Sequence, residues 1–161
     1  MPRAAIRAGV VAAALTGLCG CAATTAGEWR SYGHDPGARR FSPLTQITPR
    51  NVASLTRAWS FDTGGTAMQA TPLVIDGVMY VPAGNNVFAL VPETAQVLWK
   101  YADTEMSRRG LTYWPGDKTA GPRLYTGAGD GELIAIDAKT GKLAADFGSA
   151  GRIDLKPGLS V

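Results

Sequence analysis

The sequence predicts an all-β protein built from four-stranded antiparallel units of the kind that make β-propeller blades, and three observations carry that prediction. Residues 69–101, QATPLVIDGVMYVPAGNNVFALVPETAQVLWKY, read as four short strands joined by three tight turns, with Trp99 in the last strand. The pattern returns further on. Ala135, Asp137, Thr140 and Gly141 follow Ala89, Val91, Thr94 and Ala95 by 46 residues, within the roughly 40–50 of a propeller blade. The 20 glycines and 10 prolines of this 161-residue chain suit a fold with many turns.

In the first unit, residues 71–75 are mostly apolar or β-branched, and Asp76-Gly77 supplies the positive φ values of a two-residue hairpin. Residues 78–81 return, Gly84-Asn85-Asn86 turns again, and residues 87–91 make a third strand. Pro92 to Ala95 then turn into residues 97–101. The second unit follows a charged loop, residues 103–109. Its strands are expected at 111–114, 123–126, 132–137 and 142–147, with a second Asp-Gly turn at Asp130-Gly131. Residues 132–137 carry apolar side chains on both faces, as a strand buried between sheets does.

Before these units lies an irregular arm, residues 22–57, punctuated by Gly33, Pro36 and Gly37. Thr48-Pro49 is expected to start a short helix over 49–55, with Val52 and Leu55 on its buried side. Residues 55–61 read as a strand. Trp59 precedes Trp99 by 40 residues, and AWSFDTG echoes LWKYADT. That strand is expected to complete a blade whose other strands come from elsewhere. Residues 58–161 then form a partial propeller of about two blades and one closing strand.

Residues 1–21 have the layout of a signal peptide: Arg3 and Arg7, an uncharged run from Ala8 to Cys19, then small residues. Leu18-Cys19-Gly20-Cys21 also resembles a bacterial lipobox, with Cys21 as the lipidated residue; ordinary cleavage near Ala23 or Ala26 is the alternative. Both readings place the protein in the periplasm, and the first anchors it to the membrane. Without residues 1–21 the formal charge falls from +3 to about +1, which offers no basic face for nucleic acid. Both cysteines lie at or before position 21, leaving no disulfide and no Cys/His set for a metal.

The units resemble a known family. A-x-D-x-x-T-G-x-x-x-W is the blade motif of the pyrroloquinoline quinone (PQQ) dehydrogenases, eight-bladed propellers that oxidise alcohols and sugars. The second unit matches it through Ala135, Asp137, Thr140 and Gly141, with Ala145 at the Trp place. The first keeps Ala89, Thr94 and Trp99, with Val91 and Ala95 where Asp and Gly are usual. WRSYGHDPGARRFSPLTQITPRNVASLTRAW, residues 29–59, is similar to the N-terminal arm of the membrane-linked glucose and polyol branch. RRGLTYWPGD, residues 108–117, is similar to the segment entering the second blade. The resemblance covers roughly residues 27–155.

It implies a flat, triply carboxylated quinone cofactor, assisted by a divalent cation, calcium by analogy, that polarises it. Two positions carry over: Gln69 beside PQQ, and Arg109 reaching a PQQ carboxylate, where a guanidinium fork suits an oxygen pair. The alcohol branch has a vicinal cysteine pair six and five residues before this Arg. Asp103 and Thr104 stand there instead, which with Gln69 points to sugars or polyols. His34, the only histidine, reads as structural, and Asp130, Asp137 and Asp146 as turn residues bonding the backbone. Gly127-Ala128-Gly129 precedes a strand, so it is no dinucleotide fingerprint.

In the family the metal ligands and catalytic Asp lie further along. The chain therefore reads as the N-terminal part of an exported PQQ dehydrogenase that passes electrons to a quinone or cytochrome, inactive alone and with exposed sheet edges. The alternative is a cofactor-free propeller lipoprotein that serves as a protein-binding scaffold in outer-membrane assembly.

Overall fold

The computed structural model describes residues 27–64 and 68–157; the expected signal segment, residues 1–21, and with it Cys21 lie outside the described residues. Its strands are β1 (Leu73–Ile75), β2 (Val78–Ala83), β3 (Asn86–Leu90), β4 (Val97–Ala102), β5 (Thr112–Trp114), β6 (Arg123–Ala128), β7 (Glu132–Asp137) and β8 (Arg152–Asp154). They form two four-stranded antiparallel sheets, β1-β2-β3-β4 and β5-β6-β7-β8, each in sequence order. That is the meander of a propeller blade, made twice.

Turn chemistry sets the registers. Asp76 (φ 49°) and Gly77 (φ 75°) join β1 to β2 with Ile75 opposite Val78, the left-handed pair that a type I′ hairpin requires. Gly84 (φ 56°) and Asn85 close the next hairpin, with Ala83 opposite Asn86. In the second sheet the expected two-residue Asp130-Gly131 turn is a three-residue one, Gly129–Gly131, with Gly131 in the left-handed region at φ 74°. Pro82 is tolerated in β2 because β1 pairs only as far as Tyr80, so at Pro82 the missing N–H faces an open edge.

The main core lies between the sheets. Leu73, Ile75, Tyr80, Val87 and Ala89 pack against Leu111, Leu124, Ile134 and Ile136, with Met106 between them. The other face of the first sheet buries Val81, Ala83, Phe88 and Leu90, against which Phe61 and Met79 pack. Every residue from Val87 to Leu90 is therefore buried, since β3 is covered on both sides.

A repeated joint locks the units. The Trp99 indole Nε1 donates to the Ala138 carbonyl at 3.1 Å, and the Tyr80 hydroxyl donates to the same oxygen at 3.2 Å. Trp59, 40 residues before Trp99, likewise donates from Nε1 to the carbonyl of Pro92, 46 residues before Ala138, at 3.0 Å. The turns that receive the two indoles also match: Ala95 (φ 58°) and Gly141 (φ 70°) take the same left-handed place. In the second turn Asp137 Oδ1 accepts the N–H groups of Lys139 (3.0 Å) and Thr140 (2.8 Å) and the Thr140 hydroxyl (2.9 Å), the turn role expected for it.

Three expected elements differ. Residues 55–61 join no sheet; Trp59 and Phe61 are half-buried on the first sheet, with Phe61 edge-on to Phe88 at 5.0 Å, but among the described residues no strand offers them a ladder. The helix over 49–55 is one 3₁₀ turn, Val52–Ser54, and Val52 and Leu55 are exposed. Local bonding competes with helix there: the Ser54 hydroxyl donates to the Asn51 carbonyl at 2.7 Å, and Asn51 Oδ1 accepts the Thr48 N–H at 2.7 Å.

The last strand of the second unit is β8, not residues 142–147. Leu143 pairs opposite Ile136 as Val97 pairs opposite Leu90, at the 46-residue offset. Residues beyond it then loop out. Ala135 accepts the Ala144 N–H at 2.8 Å and donates to the Gly151 carbonyl at 2.9 Å, so both ends of the loop meet one residue. Ile153 lies opposite Leu133 as Tyr101 lies opposite Val87, an offset of 52. The Trp99 place is therefore held by Gly151, and Ala145 sits in the loop. Asp146, expected to bond backbone, pairs instead with the buried Arg123 guanidinium, which also lies over the Trp114 ring.

The arm is tied to both units, reaching the second through Arg30, whose guanidinium lies over the Tyr113 ring at 5.8 Å. Trp29 exchanges backbone hydrogen bonds with Val74 (2.8 and 3.0 Å), adding to the free edge of β1. His34, at φ 75°, packs edge-on against Trp29 at 4.9 Å, in keeping with a structural role. No helix among the described residues is long and apolar enough to cross a membrane.

Candidate functional site

The first strands of the two sheets, β1 and β5, are entered by two segments that meet. Gly110 has φ 111°, and a Cβ there would lie 3.3 Å from that of Ala70. A glycine thus permits both the backbone conformation and the approach. The buried Thr126 hydroxyl fixes the second segment by donating to the Gly110 carbonyl at 3.1 Å. Gln69 and Arg109 each stand one residue before this contact, so the two residues singled out from sequence flank one junction.

Their side chains are placed differently. Gln69 is exposed and lines a narrow cleft with Pro82, Gly84, Ser107 and Arg108. Arg109 is exposed, is not part of that lining, and meets Ser107 Oγ through its backbone N–H at 3.2 Å. Arg108, a residue that sequence reasoning passed over, thus shares the lining of this cleft with Gln69. Both arginines lie in a turn, where a motif alone does not tell which of two adjacent side chains faces the cleft.

Arg108 also lines a larger cavity of about 540 Å³ with Asp62, Asn85, Asn86 and Lys100. Neither Arg108 nor Arg109 has an ion-pair partner among the described residues. An uncommitted amide and two uncommitted guanidiniums at one junction form a donor set suited to carboxylate oxygens. That chemistry fits one edge of a planar polycarboxylate. Among the described residues, no group of three or more His, Cys, Asp or Glu side chains is arranged to hold a metal ion.

Asp103 and Thr104 lead into the second segment. Burial alone would raise the Asp103 pKa, but hydrogen bonds from Tyr101, Arg152 and the Thr104 N–H hold it below the usual carboxylate value. Burial, then the bond to Asp103, pushes the Tyr101 hydroxyl up to about 12. Arg152 is held more firmly protonated by its bonds to Asp103 and Glu132.

Comparison with known proteins agrees with this architecture. The family model described as "PQQ: Glucose/ethanol/alcohol dehydrogenase, beta-propeller domain" matches residues 29–161. The chain is 36% identical to "1-butanol dehydrogenase (cytochrome c)" of Thauera butanivorans, over 85% of this chain and 21% of that protein. It is 32% identical to "Glycerol dehydrogenase large subunit" of Gluconobacter oxydans, over 86% of this chain and 22% of that one. The crystal structure of the quinohemoprotein alcohol dehydrogenase from Comamonas testosteroni superposes with a TM-score of 0.68 at 31% identity, covering 86% of this chain and 21% of that one. The chain thus spans about a fifth of the length of the relatives it matches. With two blades of matching topology and a family match over nearly all the described residues, this chain belongs to the PQQ glucose/ethanol/alcohol dehydrogenase β-propeller family.

Proposed function

We propose that this chain supplies the first two blades, and one edge of the cofactor site, of an exported PQQ-dependent dehydrogenase that oxidises alcohols, polyols or sugars. The observation that carries the reading is the junction of Ala70 and Gly110, where Gln69 and Arg108 face one cleft beside Arg109. PQQ, when bound, supplies the redox chemistry. The residues of this chain would bind and orient it: the Gln69 amide toward the quinone edge, and the guanidiniums of Arg108 and Arg109 toward carboxylates. A calcium ion and the proton-accepting carboxylate would come from other blades. The electron acceptor is a quinone or a cytochrome, as for relatives described as a cytochrome c-linked butanol dehydrogenase and a quinone-linked alcohol dehydrogenase subunit. Gln69 and the Asp103-Thr104 pair favour a polyol or sugar, and the glycerol dehydrogenase relative supports the polyol half of that choice.

The signal segment and Cys21 support periplasmic export with a lipid anchor. The mass of the mature N-terminal peptide tests this: an acylated Cys21 is expected, and an unmodified N-terminus after Ala23 or Ala26 would remove the anchor.

A chimera tests the cofactor reading. The matching segment of the Comamonas testosteroni enzyme is replaced by residues 29–157 of this chain, and PQQ affinity is measured by fluorescence titration with calcium present. Retained binding is expected, with Arg109→Ala and Gln69→Ala each weakening it roughly tenfold or more, the scale of one hydrogen bond to a charged group. Unchanged affinity in both variants would remove this junction from the site. The 161-residue chain by itself is expected to show neither tight PQQ binding nor dye reduction; substrate-dependent dye reduction by it would overturn the partial-propeller reading.

A further inference from the structure

The segment that ends in Arg108 and Arg109 is strapped down along its length. The Asp103 N–H donates to the Asn85 carbonyl at 3.0 Å, and Asn85 Nδ2 donates to the Thr104 carbonyl at 2.6 Å. Further along, the Ser107 N–H donates to Gly127 at 2.8 Å and the Gly129 N–H to Glu105 at 3.0 Å, with Met106 buried between them. The head of the strap is Asp103, whose side chain is 9% exposed. Its carboxylate accepts the Tyr101 hydroxyl at 2.7 Å, the Thr104 N–H at 2.8 Å and Arg152 Nη2.

Arg152 comes from the other sheet, at the start of β8. It forks: Nη1 donates to Glu132 at 2.7 Å on β7, while Nη2 donates to Asp103 and to the Tyr101 hydroxyl at 3.1 Å. One planar guanidinium therefore joins the outer strand of the second blade to the loop leaving the first. A lysine, as a point charge, cannot reproduce the whole fork. Without a cation, Asp103 keeps a buried negative charge with only the Tyr101 phenol and the amide and hydroxyl of Thr104 to solvate it. Exposure to water then requires the loop to move.

We infer that Arg152 is a positioning residue for the 103–109 segment: by tying Asp103 to Glu132 it fixes where Arg108 and Arg109 lie against the second blade. The bearing on cofactor binding rests on the function proposed above; the mechanical coupling does not. It makes a residue more than forty positions from the junction a determinant of its geometry, through contacts that leave the cleft itself untouched.

Hydrogen–deuterium exchange of this chain, resolved by peptide, tests the coupling. Arg152→Gln is expected to speed exchange at Asp103, Thr104, Ser107 and Arg109 by roughly tenfold to a hundredfold, while amides of β2, β3, β6 and β7 keep their protection. Arg152→Lys is expected to recover part of that protection, and Tyr101→Phe, which leaves every charge in place, to produce a smaller effect confined to the same segment. Should Arg152→Gln fail to fold, Tyr101→Phe reads the same amides. Unchanged exchange at 103–109, an increase spread equally over both sheets, or no difference between Arg152→Gln and Arg152→Lys would each overturn the inference. Faster local exchange combined with unaltered PQQ affinity of the Arg152→Gln chimera would uphold the coupling and count instead against the cofactor role of Arg109.

Discussion

At Gly141, φ is 70° and a Cβ would lie 2.5 Å from the Trp99 ring, so one atom decides whether the indole can seat on its turn. The matching position in the first blade is Ala95, which holds φ 58° at the steric cost of a side chain in the left-handed region. The two positions should respond to exchange in opposite directions. Gly141→Ala is expected to destabilise by about 2 kcal/mol, from backbone strain and displacement of Trp99. Ala95→Gly is expected to stabilise by about 0.5 kcal/mol, relief of strain outweighing the added freedom of the unfolded chain. Urea denaturation of both variants checks the signs. Sequence showed Thr94-Ala95 and Thr140-Gly141 as equivalent turns. That the glycine serves the neighbouring blade's Trp was settled only when the sheets packed. Arg108 makes the same point at the Ala70–Gly110 junction, since its neighbourhood with Gln69 depends on the segments before β1 and β5 meeting there.

The two outer strands show how an element can be legible in one repeat and hidden in the other. β4 follows its turn without interruption. In the second unit the 46-residue offset persists to Leu143 and then lengthens by six residues, so an ungapped alignment puts Ala145 where the chain places Gly151. No indole fits there: a Cβ on Gly151 would stand 2.7 Å from that of Leu143. The loop that displaces the strand has its own work, since Asp146 partners Arg123, which is 8% exposed, and Phe147 packs edge-on to Tyr125 at 5.3 Å. Asp146→Asn should therefore cost about 1–3 kcal/mol, chiefly by leaving a buried guanidinium short of an anion. Arg123→Met combined with Asp146→Asn should recover much of that loss, because an apolar side chain of similar length needs no counter-ion. Thermal unfolding of the single and double variants measures both.

For the whole molecule, the joint between the blades combines apolar burial with two phenols that must stay neutral. Tyr80, buried and donating to Ala138, has its pKa pushed up to about 12 chiefly by desolvation, and Tyr101 likewise to about 12. A folded pKa above the unfolded value of about 10 means that this stabilisation is complete below pH 10 and is lost as pH rises from about 10 toward 12. Asp103 has the opposite sign: its depressed pKa gives stability that is present above the ordinary carboxylate value of about 4 and fades as pH falls below it. Unfolding free energy is thus expected to hold on a plateau between these limits and to fall on both sides. Tyr80→Phe and Tyr101→Phe should each flatten the alkaline limb; a limb unchanged by both would mean that other groups control it.

By itself the sequence determined the number of blades, the strand order within each and the positions of the tight turns, because these depend on local signals: Asp-Gly and Thr-Gly dipeptides, β-branched runs and a repeated spacing. Local patterning did not determine whether an extended segment gains a ladder. Residues 55–61 have the composition of a strand and lie on the first sheet through Trp59 and Phe61, but among the described residues no strand pairs with them. Nor did it determine which distant groups meet. The fork of Arg152 onto Asp103 and Glu132, and the approach of Ala70 to Gly110, exist only because two sheets bury their faces against each other, and that packing fixes side-chain neighbours that no spacing along the chain encodes.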